Sequence, residues 1–129
     1  MIIEDRNFKL KDFTKEDITS DYLGWINNKN LLRYSKNKKI IDYRSAYHYL
    51  KSHNKKNNLF LSILSIKEKK MIGTFTIYLD EKNKTANLGI LIGEKRARGK
   101  GMGYKIYKLV ISFLFKKKRI QKIIVGTRK

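Results

Sequence analysis

The chain has 129 residues, with 31 Lys and Arg against 11 Asp and Glu, a formal charge of +20 at pH 7 and no cysteine. That length suits one domain burying about two-thirds of the surface its unfolded chain would expose. The absence of cysteine excludes a disulfide framework, a thiol nucleophile and a thiolate metal site, and His48 and His53 alone cannot build a histidine-rich metal centre.

Met1 to Arg6 does not read as a signal peptide and no apolar run approaches membrane-spanning length, so a cytoplasmic protein without a membrane partner is expected. Lysine is scattered through nearly every segment, so the overall charge is read as surface decoration. No recognised nucleic-acid motif and no basic–aromatic stacking strand accompanies it, and a nucleic-acid partner is not expected.

Arg6-Asn-Phe-Lys-Leu10 alternates polar and apolar residues and is predicted to be a short strand with one buried face. Thr14 and Asp17 stand at capping-box spacing. From Tyr22 the pattern turns helical through Tyr22, Trp25 and Ile26, with Leu31 and Leu32 after a polar break at Asn27 to Asn30. Trp25, the sole tryptophan, is read as a core anchor. Asp42 suits the N-cap of a second helix carrying Tyr43, Ala46, Tyr47 and Leu50 on one side. His48 and His53 fall away from that stripe and are expected to be exposed and without chemical duty.

Leu59 to Ile66 is nearly all apolar, the sign of a strand covered on both faces. After a turn at Lys67 to Lys70, the run Met71 to Leu79 sets Phe75, Ile77 and Leu79 against Thr74, Thr76 and Tyr78. Asp80 to Lys84 then leads to Thr85 to Ile92, and the short connections predict an antiparallel meander.

The stretch Leu88-Gly-Ile-Leu-Ile-Gly93 runs into Glu94-Lys-Arg-Ala-Arg98-Gly-Lys-Gly101-Met-Gly103 and then an amphipathic helix reaching Lys118. Its apolar stripe is Met102, Ile106, Leu109, Val110, Phe113 and Leu114, while Lys105, Lys108 and Ser112 face water. A strand that feeds glycines into a helix N-terminus builds a pyrophosphate cradle. The first-turn N–H groups lack partners within the helix and carry the positive end of its dipole. Glycine lets phosphate approach the main chain, and Lys95, Arg96, Arg98 and Lys100 supply local positive charge. A Walker loop is excluded because no Gly-Lys-(Ser/Thr) follows at the right spacing, and a dinucleotide fingerprint because its glycine spacing differs. Lys116 to Arg119 places cations at the negative end of the helix, and Ile120 to Val125 is predicted as a final strand, parallel to the one before the loop.

Arg98-x-x-Gly101-x-Gly103 resembles the (Arg/Gln)-x-x-Gly-x-(Gly/Ala) loop of the GNAT acyltransferases. Leu91-Ile92-Gly93-Glu94 looks like the strand end of the branch holding ribosomal-protein N-terminal and amino-sugar N-acetyltransferases. The order β-α-α-β-β-β-α-β matches their α+β fold, a mixed, mostly antiparallel sheet flanked by helices, as one domain over 1–129. The family's further C-terminal helix and strands are missing after Gly126 to Lys129. In relatives that part supplies an asparagine near the cofactor, often a tyrosine that protonates the departing thiolate, and one wall of the acceptor site. Without it the last strand is an edge through which a homodimer could form.

The resemblance implies acetyl transfer from acetyl-CoA, with no metal, directly to the primary amine of an amino sugar nucleotide or a protein N-terminus. Tyr22-Leu-Gly-Trp-Ile-Asn-Asn and Leu-Leu-Arg-Tyr34 look like the sugar-modifying members. The pyrophosphate falls to the N–H groups from Gly99 through Lys100, Gly101, Met102 and Gly103 to Tyr104, aided by Arg98 and Lys100. Leu91, Ile92 and Gly93 offer strand-like bonds to the pantetheine arm. A backbone N–H near Leu91 would meet the thioester oxygen, a donor worth roughly 2.7–4 kcal/mol. Tyr34 and Ser35 are acceptor-side candidates. Glu94 is as well explained as a solvent-facing residue, and Asn87, where relatives often carry a carboxylate, cannot act as a base. No catalytic base is assigned. A CoA-binding remnant without activity and a basic nucleic-acid-binding protein are the alternatives.

Overall fold

Strand alternation sorts this chain into two faces, and a helix layer covers each. The computed structural model describes residues 1–28, 40–94 and 101–125. Within them Ile2–Glu4 (β1), Phe8–Asp12 (β2), Asn58–Ser65 (β3), Lys70–Asp80 (β4), Thr85–Ile92 (β5) and Lys122–Val125 (β6) form one sheet in chain order. Pairing is antiparallel from β1 through β5 and parallel between β5 and β6. The helices among the described residues are Ser20–Ile26 (α1), Tyr43–Lys51 (α2) and Met102–Lys117 (α3), none of them long and apolar enough to cross a membrane.

Leu59, Leu61, Ile63, Phe75, Ile77, Ala86 and Leu88 point to one face and meet Ile106, Val110 and Leu114 of α3. Those three helical residues recur every fourth position and are fully buried, each contributing about 1.5–3 kcal/mol. On the other face Phe60 packs with Phe13, Ile18, Tyr22 and Ala46, so α1 and α2 cover the β3 side of the sheet. Burial raises the Tyr22 phenol to about pKa 12, because the charged form is poorly solvated there.

The expected meander, the crossover helix and the parallel last strand are all present. So are the Thr14–Asp17 capping box and the Asp42 N-cap, whose carboxylate accepts the Ser45 N–H at 2.9 Å. The sequence pattern begins the sheet at Arg6, whereas the structure adds β1 before it. Three residues are too few to show a period. What secures β1 is a turn in which the Asp5 carboxylate accepts the N–H groups of Asn7 and Phe8, each at 2.8 Å. The Met1 ammonium also pairs with Asp12 at 3.0 Å.

Candidate functional site

β5 is bonded to β4 along its whole length, but on its other side only Thr85 to Leu88 pair with β6. From Gly89 to Ile92, that edge has no strand partner among the described residues. The first turn of α3 lies beside this stretch of β5, where a Cβ on Gly103 would stand 3.8 Å from Ile92. Ile90, Ile92 and Met102 pack on the α3 core, so hydrophobic contact ties the strand end to the first turn of the helix.

Gly101 is the α3 N-cap, with φ 71° and ψ 13°. A side chain strains that left-handed conformation, whereas glycine accepts it. Glycine also brings no capping oxygen, and no acidic residue lies in the first turn. Among the described residues, the N–H groups of Met102, Gly103 and Tyr104 thus have no side-chain cap, while the first helical bond runs from Lys105 to Gly101 at 3.1 Å. Tyr104 itself is exposed.

A bulge fixes how β5 ends. Ile63 pairs with Gly73 but Leu64 with Met71, leaving Ile72 as the extra residue. The Ile72 carbonyl accepts the N–H groups of Gly93 at 3.0 Å and Glu94 at 3.1 Å. Glu94, for which the sequence leaves a place near the cofactor end and a solvent-facing place both open, is partly buried and pairs with Lys70 at 3.1 Å. Trp25 is half-buried against the α1–α2 cluster, and its indole lies so close to Gly93 that a Cβ there would overlap the ring. The tryptophan is thus a core anchor that also abuts the strand end.

The same face carries a polar row. Thr76 donates to the Gly89 carbonyl at 3.5 Å, and Tyr78 stands opposite Asn87 across the β4–β5 pair. Asn87 and Tyr78 are exposed near the end of the β5–β6 pairing. Asn27 closes the adjoining region: its side-chain amide donates to the Ile41 carbonyl at 2.7 Å and accepts the Ile41 N–H at 2.6 Å.

His53 differs from expectation. It is half-buried, with Nε2 at 3.0 Å from the Tyr78 hydroxyl and Nδ1 at 3.0 Å from the Tyr49 carbonyl. Its ring stacks on Phe60 at 5.1 Å and on Tyr78 at 5.7 Å. The chain turns at Ser52, immediately after α2, and folds the imidazole back over the sheet. Helical projection cannot foresee that turn, although Tyr49 and His53 at a spacing of four hinted at a shared face. His48 is exposed, as expected.

Of the residues expected at the cofactor, Leu91, Ile92 and Gly93 are at the β5 end, and Gly101, Met102, Gly103 and Tyr104 are at the α3 start. Arg98, Gly99 and Lys100 lie outside the described residues, as do Tyr34 and Ser35 on the acceptor side. No group of three or more metal-ligating side chains occurs among the described residues.

A family model described as an acetyltransferase (GNAT) domain matches residues 7–129. A GNAT-family acetyltransferase structure from Bacillus anthracis aligns with a TM-score of 0.79 at 14% identity, over 97% of this chain and 72% of that one. Ribosomal-protein-S5-alanine acetyltransferase from Vibrio fischeri gives 0.73 at 15% identity, over 97% and 73%. Spermidine N-acetyltransferase from Vibrio cholerae, in complex with CoA and spermine, gives 0.77 at 15%, over 94% and 71%. At these identities the likeness is one of fold. A search of the curated proteins finds no match. The family model runs over nearly the whole sequence, and the chain belongs to the GNAT acetyltransferase family.

Proposed function

We propose that this chain transfers the acetyl group of acetyl-CoA directly to a primary amine. The observation that carries the reading is that, among the described residues, the α3 N-terminus has no side-chain cap and lies beside a β5 edge that has no strand partner from Gly89 to Ile92. The first-turn N–H groups suit a pyrophosphate, since among the described residues they have no side-chain cap and they stand at the positive end of the helix dipole. The β5 edge suits a pantetheine arm, whose amides can bond to it as a neighbouring strand would. A cofactor so held puts its thioester near Gly89, beside the polar row of Thr76, Tyr78 and Asn87. A strand N–H there can meet the charge that develops on the thioester oxygen.

Charge narrows the acceptor. Although the excess lysine is spread over the surface without a single focus, a net +20 still repels a polyamine and favours an anionic substrate. An amino sugar nucleotide, with its diphosphate, fits this field better than spermidine does, and a protein N-terminus followed by acidic residues also fits. The test is thiol release from acetyl-CoA in the presence of a sugar-nucleotide amine, an acidic N-terminal peptide and spermidine. Release that saturates with an anionic amine is expected. Cofactor binding without release for any amine marks a non-catalytic remnant, and preference for spermidine contradicts the charge argument.

A further inference from the structure

We infer that Tyr78 and His53 form the proton-accepting pair of this site, with the Tyr78 phenol taking the proton of the attacking amine and His53 taking the proton of Tyr78. This rests on the acetyl-transfer reading above.

Hydrogen bonding fixes the direction of transfer. A carbonyl oxygen only accepts, so the 3.0 Å contact with Tyr49 requires a proton on His53 Nδ1. The neutral imidazole then bears a lone pair on Nε2, which accepts from the Tyr78 hydroxyl at 3.0 Å. Ser52 supports this tautomer: its hydroxyl donates to the Tyr49 carbonyl at 2.6 Å and offers its own oxygen to Nδ1 at 3.3 Å. Packing holds the ring in place between Phe60 and Tyr78, with Tyr49 edge-on at 4.7 Å. The groups that meet the imidazole come from α2 and the turn after it (Tyr49, Ser52), from β3 (Phe60) and from β4 (Tyr78). Of these only the two tyrosines titrate, and no ion pair among the described residues involves His53.

Position supplies the second half of the argument. Tyr78 lies opposite Asn87, one residue before the last β5–β6 pair at Leu88. The residue is 39% exposed, so it is not sealed from an incoming amine. Asn87, its cross-strand neighbour, cannot accept a proton, so among the described residues paired at that level this pair is the base.

In the step, the amine nitrogen forms its bond to the acetyl carbon and the carbon–sulfur bond breaks, with its electron pair left on sulfur. The amine proton passes to the Tyr78 oxygen as the phenol proton passes to His53 Nε2. His53 returns its proton to solvent, and the thiolate takes one from solvent. Tyr78 is thus the catalytic residue and His53 acts through it.

The experiment compares wild type, Tyr78→Phe and His53→Gln by kcat/KM from pH 6 to 9 with the three-amine panel and acetyl-CoA. Calorimetric acetyl-CoA affinity and thermal midpoints are measured beside the rates, together with the 15N shifts of the wild-type imidazole. Tyr78→Phe keeps the ring stack and removes the hydroxyl. Both variants are expected to lose about 100-fold or more in kcat/KM at unchanged cofactor affinity. His53→Gln should also lose the acid-side limb that belongs to imidazole while keeping the limb set by the amine itself, and the shifts should report the Nδ1-protonated tautomer. Variants as fast as wild type with the same pH profile, an Nε2-protonated ring, or a wild type that binds acetyl-CoA but acetylates no amine each overturn the pair. Failure of wild type to bind acetyl-CoA overturns the underlying reading instead.

Discussion

Gly93→Ala perturbs the contact between Trp25 of α1 and the end of β5. A Cβ at residue 93 overlaps the Cγ, Cδ2 and Cε3 atoms of the Trp25 indole. The strand end cannot easily withdraw, because the N–H groups of Gly93 and Glu94 both bond to Ile72. The ring has to move, disturbing its edge-on contact with Tyr22 at 6.4 Å and its packing on the α1–α2 cluster. Overpacking of this kind costs about 1–3 kcal/mol. At roughly 2.1 cal/mol/K of unfolding entropy per residue, a chain of this length should lose about 4–11 °C in Tm. Calorimetric melting measures that loss, and the emission of the sole tryptophan reports the displaced ring directly. A Trp25→Leu, Gly93→Ala double variant relieves the overlap, so its destabilisation should fall short of the sum of the single variants by about 0.5–3 kcal/mol. A single variant that melts within a degree of wild type with unchanged emission refutes the contact.

Gly101→Glu should abolish acetyl-CoA binding in a calorimetric titration, because it sets a negative charge at the mouth of α3. Gly101→Ala shares the strain of φ 71° without the charge, and should lose about 1 kcal/mol of stability yet still bind. The Asp42 carboxyl is held below its ordinary value by the Ser45 backbone N–H first and the Ser45 side chain second. Its contribution is therefore present above the unfolded carboxylate pKa and is lost as pH falls through the lower folded value, so the Tm gap between wild type and Asp42→Ala should close in acid. For Tyr22, whose folded pKa of about 12 exceeds the unfolded one, stability is complete below the ordinary phenol range and declines above it. A pH titration followed by phenolate absorbance should show a late-ionising fraction to which the partly buried Tyr107 also contributes, and that fraction should shrink in Tyr22→Phe.

The fold was readable wherever a period was long enough to stand out. The alternation of Phe75, Ile77 and Leu79 and the fourfold spacing of Ile106, Val110 and Leu114 each reflect a side chain's need for one face, and burial follows both. β1 was not readable, since its stability lies in the Asp5 turn and in pairing with β2, not in its own three residues. Near the strand end, the positive φ of Gly101 follows from the glycine-rich run, whereas Gly93 is read only as a source of strand-like bonds and its closeness to Trp25 is not legible in the sequence. His53 and Tyr78 are 25 residues apart, and no local pattern links them. Their meeting depends on a turn after α2 and on the β3–β4 register, both of which are tertiary facts.

The central proposal is that a CoA diphosphate sits at the start of α3 with its arm along the β5 edge from Gly89 to Ile92. Isothermal titration of acetyl-CoA into the chain at about 0.15 M salt tests it most directly, since non-specific attraction to a basic surface is largely screened there. Saturable binding at one site per chain, competed by CoA and lost in Gly101→Glu, is the expected result. Absence of saturable heat, or binding that Gly101→Glu leaves unchanged, would contradict it.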